Sequence, residues 1–144
     1  TLHIAGDGTA YSEVRQEIIN FSRDFGLNYQ LSDSYGTDEL RQVLENTNIM
    51  YALYNPQRGN ISDGALSVKM FDAASFGIPS VVNANCLMGE LCEEESLGEA
   101  VIWNDVIQLR ETLLKLRNHR VNLAKTDAPF KQRYITHFNS ILGN

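Results

Sequence analysis

The feature that most constrains the fold of this sequence is a regular alternation of short apolar runs with amphipathic segments. The apolar runs have the length of buried β-strands, and the segments between them carry apolar side chains at helical spacing. Repeated succession of strand and helix predicts an α/β layered fold with a mainly parallel sheet and right-handed crossovers. The predicted strands cover residues 2–5, 27–31, 49–54, 80–82 and 100–103.

The predicted helices have recognisable ends. Gly26 follows the first segment with apolar residues at helical spacing, residues 11–25, and the position just after a helix is a usual place for glycine. Thr37 is expected to cap the second helix, with acidic residues in its first turn. Asp105 and Gln108 have the spacing of a capping box. We expect helices over residues 11–25, from Thr37, over 65–76 and 89–97, from Asp105, and over 130–142.

Three patterns predict the burial of particular side chains. The continuous apolar run 49–54 predicts a strand covered on both faces. The acidic run 93–95 predicts a solvated helix face. Cys86 and Cys92 are too few for a disulfide framework and lack partners for zinc, so we expect two partly buried, reduced thiols.

The composition is that of an ordinary soluble domain, with 43% hydrophobic and 21% charged residues. A net charge of −6 argues against nucleic acid or an anionic membrane as a partner, because both attract basic patches. No apolar stretch reaches the roughly 20 residues of a membrane span. We therefore expect a cytoplasmic protein. Because the chain begins within a predicted strand, we also expect it to be a fragment of a longer protein.

Four loops lie where parallel sheets bind ligands, outside the carboxyl ends of the strands: residues 6–9, 32–36, 55–64 and 83–89. In the first loop, Gly6 and Gly8 would let backbone N–H groups approach a phosphate. A nicotinamide site would also need a third glycine, where Tyr11 stands, and an acid after the second strand, where Asp33 stands. A tight turn without a ligand explains Gly6 and Gly8 equally well.

The segment 66–83 has more potential for chemistry. Free N–H groups at the start of its helix can receive an anion such as a diphosphate. Lys69 and Asp72 share a helix face, and a carboxylate at Asp72 can accept two hydrogen bonds from a vicinal diol such as a ribose. By their chemistry alone, an exposed ion pair between these two residues is the simpler interpretation.

The pattern Lys69-x-x-Asp72-x-x-x-x-Gly77-x-Pro79-x-Val81 resembles the donor-binding signature of the GT-B glycosyltransferases, which are retaining enzymes with two Rossmann-like halves. Further segments resemble the family in the same order: residues 2–8, 37–40, 48–56, 89–91, the helix from 105, and 130–142. The resemblance implies that residues 1–144 form one Rossmann-like, three-layer α/β/α domain, the donor half of such an enzyme.

The resemblance also implies a role for particular residues. Asp72 would bind the ribose hydroxyls, where the family usually has Glu, and Lys69 would lie near the donor. Gly64, with Asp63 beside it, stands eight positions before Asp72, where the family often has an acid. Residues 66–68 would offer backbone to the diphosphate. The implied donor-binding residues are Gly6, Gly8, Ser34, Tyr35, Gly64, Leu66, Ser67, Val68, Lys69 and Asp72.

The implied partners are a nucleotide-diphosphate sugar, whose base would lie near Ser34 and stack on Tyr35, and a saccharide or glycoconjugate acceptor. No metal is implied, because this fold offsets diphosphate charge with helix dipoles and basic side chains. The family's donor half usually begins one strand and helix earlier, and the acceptor half is a separate domain. We therefore expect a hexosyltransferase in the full-length protein, in the cytoplasm or at the inner face of the membrane, and no transfer by this fragment alone.

Two other classes remain as alternatives. A sugar-nucleotide epimerase of the same fold would need acid–base residues in the cleft, which this part of the chain does not display. A regulatory domain of the receiver type would need an acidic cluster after the first strand and a phosphorylatable Asp after the third. Asp7 alone does not meet the first condition, and Asn55-Pro56 does not meet the second.

Overall fold

The computed structural model of this chain describes residues 1–5, 11–33 and 36–123, together with Gln132 and Thr136. In these ranges six helices are interspersed with five strands, and every strand pairing is parallel. The predicted α/β class, of Rossmann-like type, is thereby confirmed. Of the predicted helix 130–142 only Gln132 and Thr136 are described, and both are helical. No helix in the described ranges is long and apolar enough to cross a bilayer.

The chain divides into two compact units, Thr1–Val43 (unit 1) and Leu44–Asn144 (unit 2). In unit 1, β1 (Leu2–Ala5) pairs with β2 (Tyr29–Ser32), the first residues of the two strands lying opposite one another. Helix α1 (Tyr11–Phe25) connects these strands. It ends as the sequence predicts, because the residue after it, a glycine with φ of 68°, adopts the left-handed conformation that closes a helix.

Helix α2 (Thr37–Glu45) starts where the sequence predicts but has a different cap. The Glu39 carboxylate accepts a hydrogen bond of 2.8 Å from the Gly36 N–H, and the Leu40 N–H donates to the Gly36 carbonyl oxygen. Gly36 is therefore the N-cap, and Glu39 supplies the acidic half of a capping box. The prediction of Thr37 as the cap was wrong by one residue, since glycine is also accepted at this position.

Unit 2 is built on a three-stranded parallel sheet in the order β3, β4, β5. All four residues of the central strand are buried. The strands are β3 (Met50–Ala52), β4 (Ser80–Asn83) and β5 (Gly98–Val101), and the helices are α3 (Gly59–Ser62), α4 (Val68–Ser75), α5 (Leu87–Glu94) and α6 (Val106–Leu116).

Two apolar clusters cover the two faces of β4. Val82 belongs to a cluster with Met70 of α4 and Met88 of α5, whereas Val81 belongs to a second cluster with Leu116 of α6. Because successive side chains of a strand point to opposite faces, α4 and α5 cover one face and α6 covers the other. This layering makes β4 the most buried element of unit 2 and fixes the loops at its carboxyl end.

Two glycines permit the close packing around β4. A Cβ atom at Gly98 would collide with the backbone oxygen of Ser80, and a Cβ atom at Gly89 would collide with the carbonyl oxygen of Asn83. The start of β5 and the first turn of α5 therefore approach the β4 backbone at distances that only glycine allows.

Several boundaries differ from the predicted ones. Helix α4 begins at Val68 rather than at residue 65, because the one-turn helix α3 occupies the preceding loop and the Ala65 N–H donates back to the Asn60 carbonyl oxygen at 2.9 Å. Helix α5 begins two residues early, as does β5. Local apolar patterns do not mark these positions, because tertiary contacts decide where each ladder or helix becomes regular.

Two burial predictions were also wrong. Tyr51, in the run expected to be covered on both faces, has 53% of its surface exposed. Glu95, in the acidic run expected to be solvated, is only 9% exposed, whereas Glu93 and Glu94 are exposed as predicted. Glu95 follows the last turn of α5, where the chain turns inward toward the buried Leu97.

Candidate functional site

The chain segment that follows β3 is fixed to β4 by one side chain. The Asn83 amide donates from Nδ2 to the Tyr54 carbonyl oxygen and accepts at Oδ1 from the Tyr54 N–H, both at 2.8 Å. Asn83 is only 2% exposed, so these two bonds satisfy an amide that water cannot reach. They extend the pairing of β3 with β4 beyond its last ladder pair, Ala52 with Val82. The position of Tyr54 is therefore set by β4.

The Tyr54 side chain in turn reaches the start of α4. Its hydroxyl oxygen lies 3.0 Å from Ser67 Oγ, and Ser67 is the N-cap residue of α4. A serine at this position normally accepts a hydrogen bond from an N–H group of the first turn, but Ser67 makes no such bond. Within the described residues, no acceptor contacts the N–H groups of Val68 and Lys69.

An open cleft of about 270 Å³ lies at this helix N-terminus. Arg58 and Lys69 line it, both are exposed, and neither forms an ion pair with any carboxylate that the structure describes. Uncompensated positive charge and free N–H donors on one surface favour an anionic ligand.

Four of the predicted donor-binding residues, Leu66, Ser67, Val68 and Lys69, line this cleft together. Gly64 and Asp72 belong to the same unit but are not among the lining residues. The remaining predicted positions, Gly6, Gly8, Ser34 and Tyr35, lie outside the described residues.

The structure describes the surroundings of Gly64 and Asp72. Gly64 has a φ of 87°, and a Cβ atom there would lie 3.4 Å from Leu87 Cδ2, so its backbone conformation accounts for the glycine. Asp72 is half-buried in the middle of α4. Among the described residues its carboxylate has no partner, so the ion pair with Lys69 that the sequence suggests is not formed.

Five of the nine residues that line the cleft were not among the predicted donor-binding residues: Tyr54, Arg58, Asn60, Ile61 and Ala65. Three of them, Arg58, Asn60 and Ile61, lie in the loop 55–64, which the sequence predicts at the ligand-binding edge of the sheet. Arg58 had a signal, because it is a basic residue in a glycine-bearing loop after a predicted strand. Tyr54 and Asn83 had none, since their contact joins residues 29 positions apart.

The carboxylate suggested for a nicotinamide site is already engaged by its own unit. Asp33 follows β2, and its Oδ1 accepts a hydrogen bond of 3.3 Å from the Tyr11 hydroxyl. Arg15 of α1 lies 4.0 Å from the same oxygen. Asp33 thus contacts α1, although its side chain is 83% exposed.

The other reactive groups in the described ranges do not assemble into a metal site. Those ranges contain no cluster of three or more His, Cys, Asp or Glu residues that could hold a metal ion. His3 Nε2 lies 2.9 Å from Ser32 Oγ, so this imidazole is already hydrogen-bonded within unit 1. Comparisons with protein-family models, curated proteins and solved structures found no match to this chain.

Proposed function

We propose that this chain is the nucleotide-sugar-binding domain of a glycosyltransferase and that the cleft at the start of α4 receives the diphosphate of the donor. The observation that carries the proposal is the combination, on one cleft, of N–H groups and the side chains of Arg58 and Lys69, all without a partner among the residues that the structure describes. A diphosphate requires hydrogen-bond donors and positive charge, and a helix N-terminus adds both through its N–H groups and its dipole.

The size of the cleft agrees with this assignment. Its volume of about 270 Å³ is close to the lower end of small-molecule pockets, about 300–1,000 Å³. Such a volume accommodates a diphosphate and part of its ribose, so the base and the sugar would extend beyond the cleft. In the proposal, the ribose extends toward Asp72, which shares a helix face with Lys69.

The remaining parts of the proposal follow from the resemblance of the sequence to the GT-B enzymes. The sugar is transferred to a saccharide or glycoconjugate acceptor held by a second half of the enzyme, in the cytoplasm, without a required metal. Binding of the donor nucleotide is the step assigned to this chain, and it is the step that can be measured on it directly.

A titration with UDP, GDP, ADP and uridine tests the proposal by ligand-observed NMR. We expect at least one nucleoside diphosphate to bind in the millimolar range or tighter, and uridine, which has no phosphate, not to bind. Arg58→Ala and Lys69→Ala should each weaken binding by roughly three- to tenfold, because each removes a charge-assisted hydrogen bond at a partly exposed site. Asp72→Ala should weaken binding of the nucleoside diphosphate but leave inorganic pyrophosphate unaffected.

Arg110→Ala is the matched control. Arg110 is exposed on α6 of the same unit, and its removal changes the net charge by the same amount without altering the cleft. Equal weakening by Arg110→Ala and Arg58→Ala would indicate a nonspecific charge effect and contradict the proposed site. A folded chain that binds no nucleoside diphosphate in millimolar excess would contradict the proposed function itself.

A further inference from the structure

We propose that Tyr54, positioned by Asn83, prevents the Ser67 hydroxyl from capping α4 and so leaves the first N–H groups of that helix available to an anion. The identity of the anion rests on the proposed function, whereas the hydrogen-bond arrangement does not depend on it. The role assigned to Tyr54 and Asn83 is that of positioning residues.

Ser67 has the backbone geometry of a capping residue. Its φ of −79° and ψ of 118° are extended, and its carbonyl oxygen accepts the Met70 N–H at 3.1 Å. From this position a serine hydroxyl ordinarily turns toward the N–H of the second or third helical residue, here Lys69 or Met70. The hydroxyl instead lies against the Tyr54 hydroxyl. The cap is therefore absent although both the residue type and the backbone favour it.

Tyr54 cannot easily move away from Ser67. Both of its backbone polar groups are bound by the Asn83 amide, and displacement of Tyr54 would leave that amide buried without partners. Unsatisfied buried amides are costly, so the two bonds hold the start of the loop in place. The central strand of the sheet thus determines where the tyrosine hydroxyl lies.

A capping hydroxyl at Ser67 would compete with a ligand for the first N–H groups of α4. A capped N–H group is already satisfied by the protein, and a phosphate oxygen would have to displace the Ser67 hydroxyl to reach it. An uncapped N–H group is free to bind the phosphate oxygen directly. Because the Tyr54 hydroxyl is hydrogen-bonded to the Ser67 hydroxyl, Ser67 does not compete with the phosphate for these N–H groups. Helix α4 in turn lacks the stabilisation that a cap would give.

The test uses Tyr54→Phe, which keeps the backbone bonds to Asn83 and removes only the hydroxyl. In this variant Ser67 is free to cap, so amide exchange at Lys69 or Met70 should slow and the melting temperature should not fall. Affinity for inorganic pyrophosphate, the probe, should fall by roughly three- to tenfold because the cap competes for the same donors. The double variant Tyr54→Phe/Ser67→Ala has no hydroxyl to form the cap and should recover the wild-type affinity to within about twofold.

Each other outcome has a defined meaning. If the double variant binds pyrophosphate as weakly as Tyr54→Phe, the tyrosine hydroxyl contacts the ligand directly and the inference is overturned. Unchanged amide exchange at Lys69 and Met70 in Tyr54→Phe would overturn it without any ligand. Tyr51→Phe, which removes a hydroxyl from an exposed tyrosine of β3, is the control and should alter neither measurement. If the wild-type chain binds no pyrophosphate, the proposed function fails while the exchange measurement still decides the capping inference.

Discussion

At the scale of single residues, the two cysteines have opposite environments. Cys92 is fully buried in α5, and burial, reinforced by the carboxylates of Glu93 and Glu99, raises the pKa of its thiol to about 12. Cys86 is half-buried at the N-cap of the same helix, and its Sγ donates to the Asn83 carbonyl oxygen at 3.3 Å. The sequence predicted two partly buried thiols, whereas in the structure Cys92 is fully buried and Cys86 only partly so.

The different environments predict selective thiol chemistry. At pH 8 a disulfide reagent should modify one thiol in the folded chain, at Cys86, and two thiols after unfolding, because only an accessible thiolate reacts. Absorbance of the released reagent gives the count. Cys86→Ser is the control and should leave the folded chain unmodified. Rapid modification of folded Cys86→Ser would show that the Cys92 thiol is accessible and would contradict its burial in α5.

At the scale of elements, two helices of unit 2 end in the same hydrogen-bond pattern with different residues at the decisive position. After α4, Gly77 has a φ of 72°, and after α5, Ser96 has a φ of 54°. In both, this residue donates its N–H to the carbonyl three residues back, and the next residue donates to the carbonyl five residues back. Both ends are therefore Schellman motifs, but only one has the glycine that the left-handed conformation favours.

The comparison predicts that Ser96→Gly stabilises the protein. The free energy of unfolding should rise by about 1 kcal/mol, because glycine adopts the left-handed conformation without the steric cost that serine incurs. Gly77→Ser should have the opposite effect, and a larger one, since a Cβ atom there would lie 3.3 Å from the Val121 carbonyl oxygen. Urea denaturation measures both. A neutral or destabilising Ser96→Gly would mean that Ser96 has a contact worth more than the strain.

The outer edge of β5 is occupied by side chains. The Ala100 N–H donates to Glu93 Oε1 at 3.4 Å, and the Ile102 N–H donates to Gln108 Oε1 at 2.8 Å. Unpaired N–H groups on an edge strand are a template for another strand, and side-chain acceptors of this kind reduce that tendency. The capping box predicted from Asp105 and Gln108 is thus half formed. The Gln108 N–H donates to Asp105 Oδ1, but the Gln108 side chain accepts the Ile102 N–H at the end of β5.

At the scale of the whole molecule, burial is unevenly distributed between the two units. Among the residues that the structure describes, Ile18 is the only buried apolar side chain of unit 1, whereas unit 2 has two apolar clusters around β4. Phe21 and Phe25 of α1 are 54% and 72% exposed, with their ring centroids 4.5 Å apart. Buried apolar contacts determine how much free energy a segment needs to open, so the units should differ in local stability.

Native-state hydrogen exchange tests this difference. We expect the amides of β4 to exchange only through global unfolding, and those of α1 to exchange through a smaller opening with a free energy several kcal/mol lower. Exchange measured over a series of low guanidinium concentrations separates the two, because a small opening exposes less surface and depends less on denaturant. Equal free energies and equal denaturant dependence in α1 and β4 would contradict the expectation.

The amino-acid sequence by itself determined the order and type of the elements. The stripe of α1 and the apolar run of β4 are local periodicities, and local periodicity fixes which backbone conformation can bury its side chains. The same argument identified the start of α4 as a place for an anion, because free N–H groups belong to any helix N-terminus. Periodicity did not reveal α3, whose single turn is too short to form a stripe.

The tertiary structure alone decided how the site is built. Asn83 binds Tyr54 across 29 positions of sequence, and this contact determines that Ser67, a residue with a capping sequence and capping backbone, leaves its helix uncapped. Among the described residues, the ion pair between Lys69 and Asp72 that their spacing suggested is not formed. Sequence spacing indicates which residues share a helix or strand. Hydrogen bonds across a buried sheet depend instead on how distant segments pack, and local sequence patterns do not predict that packing.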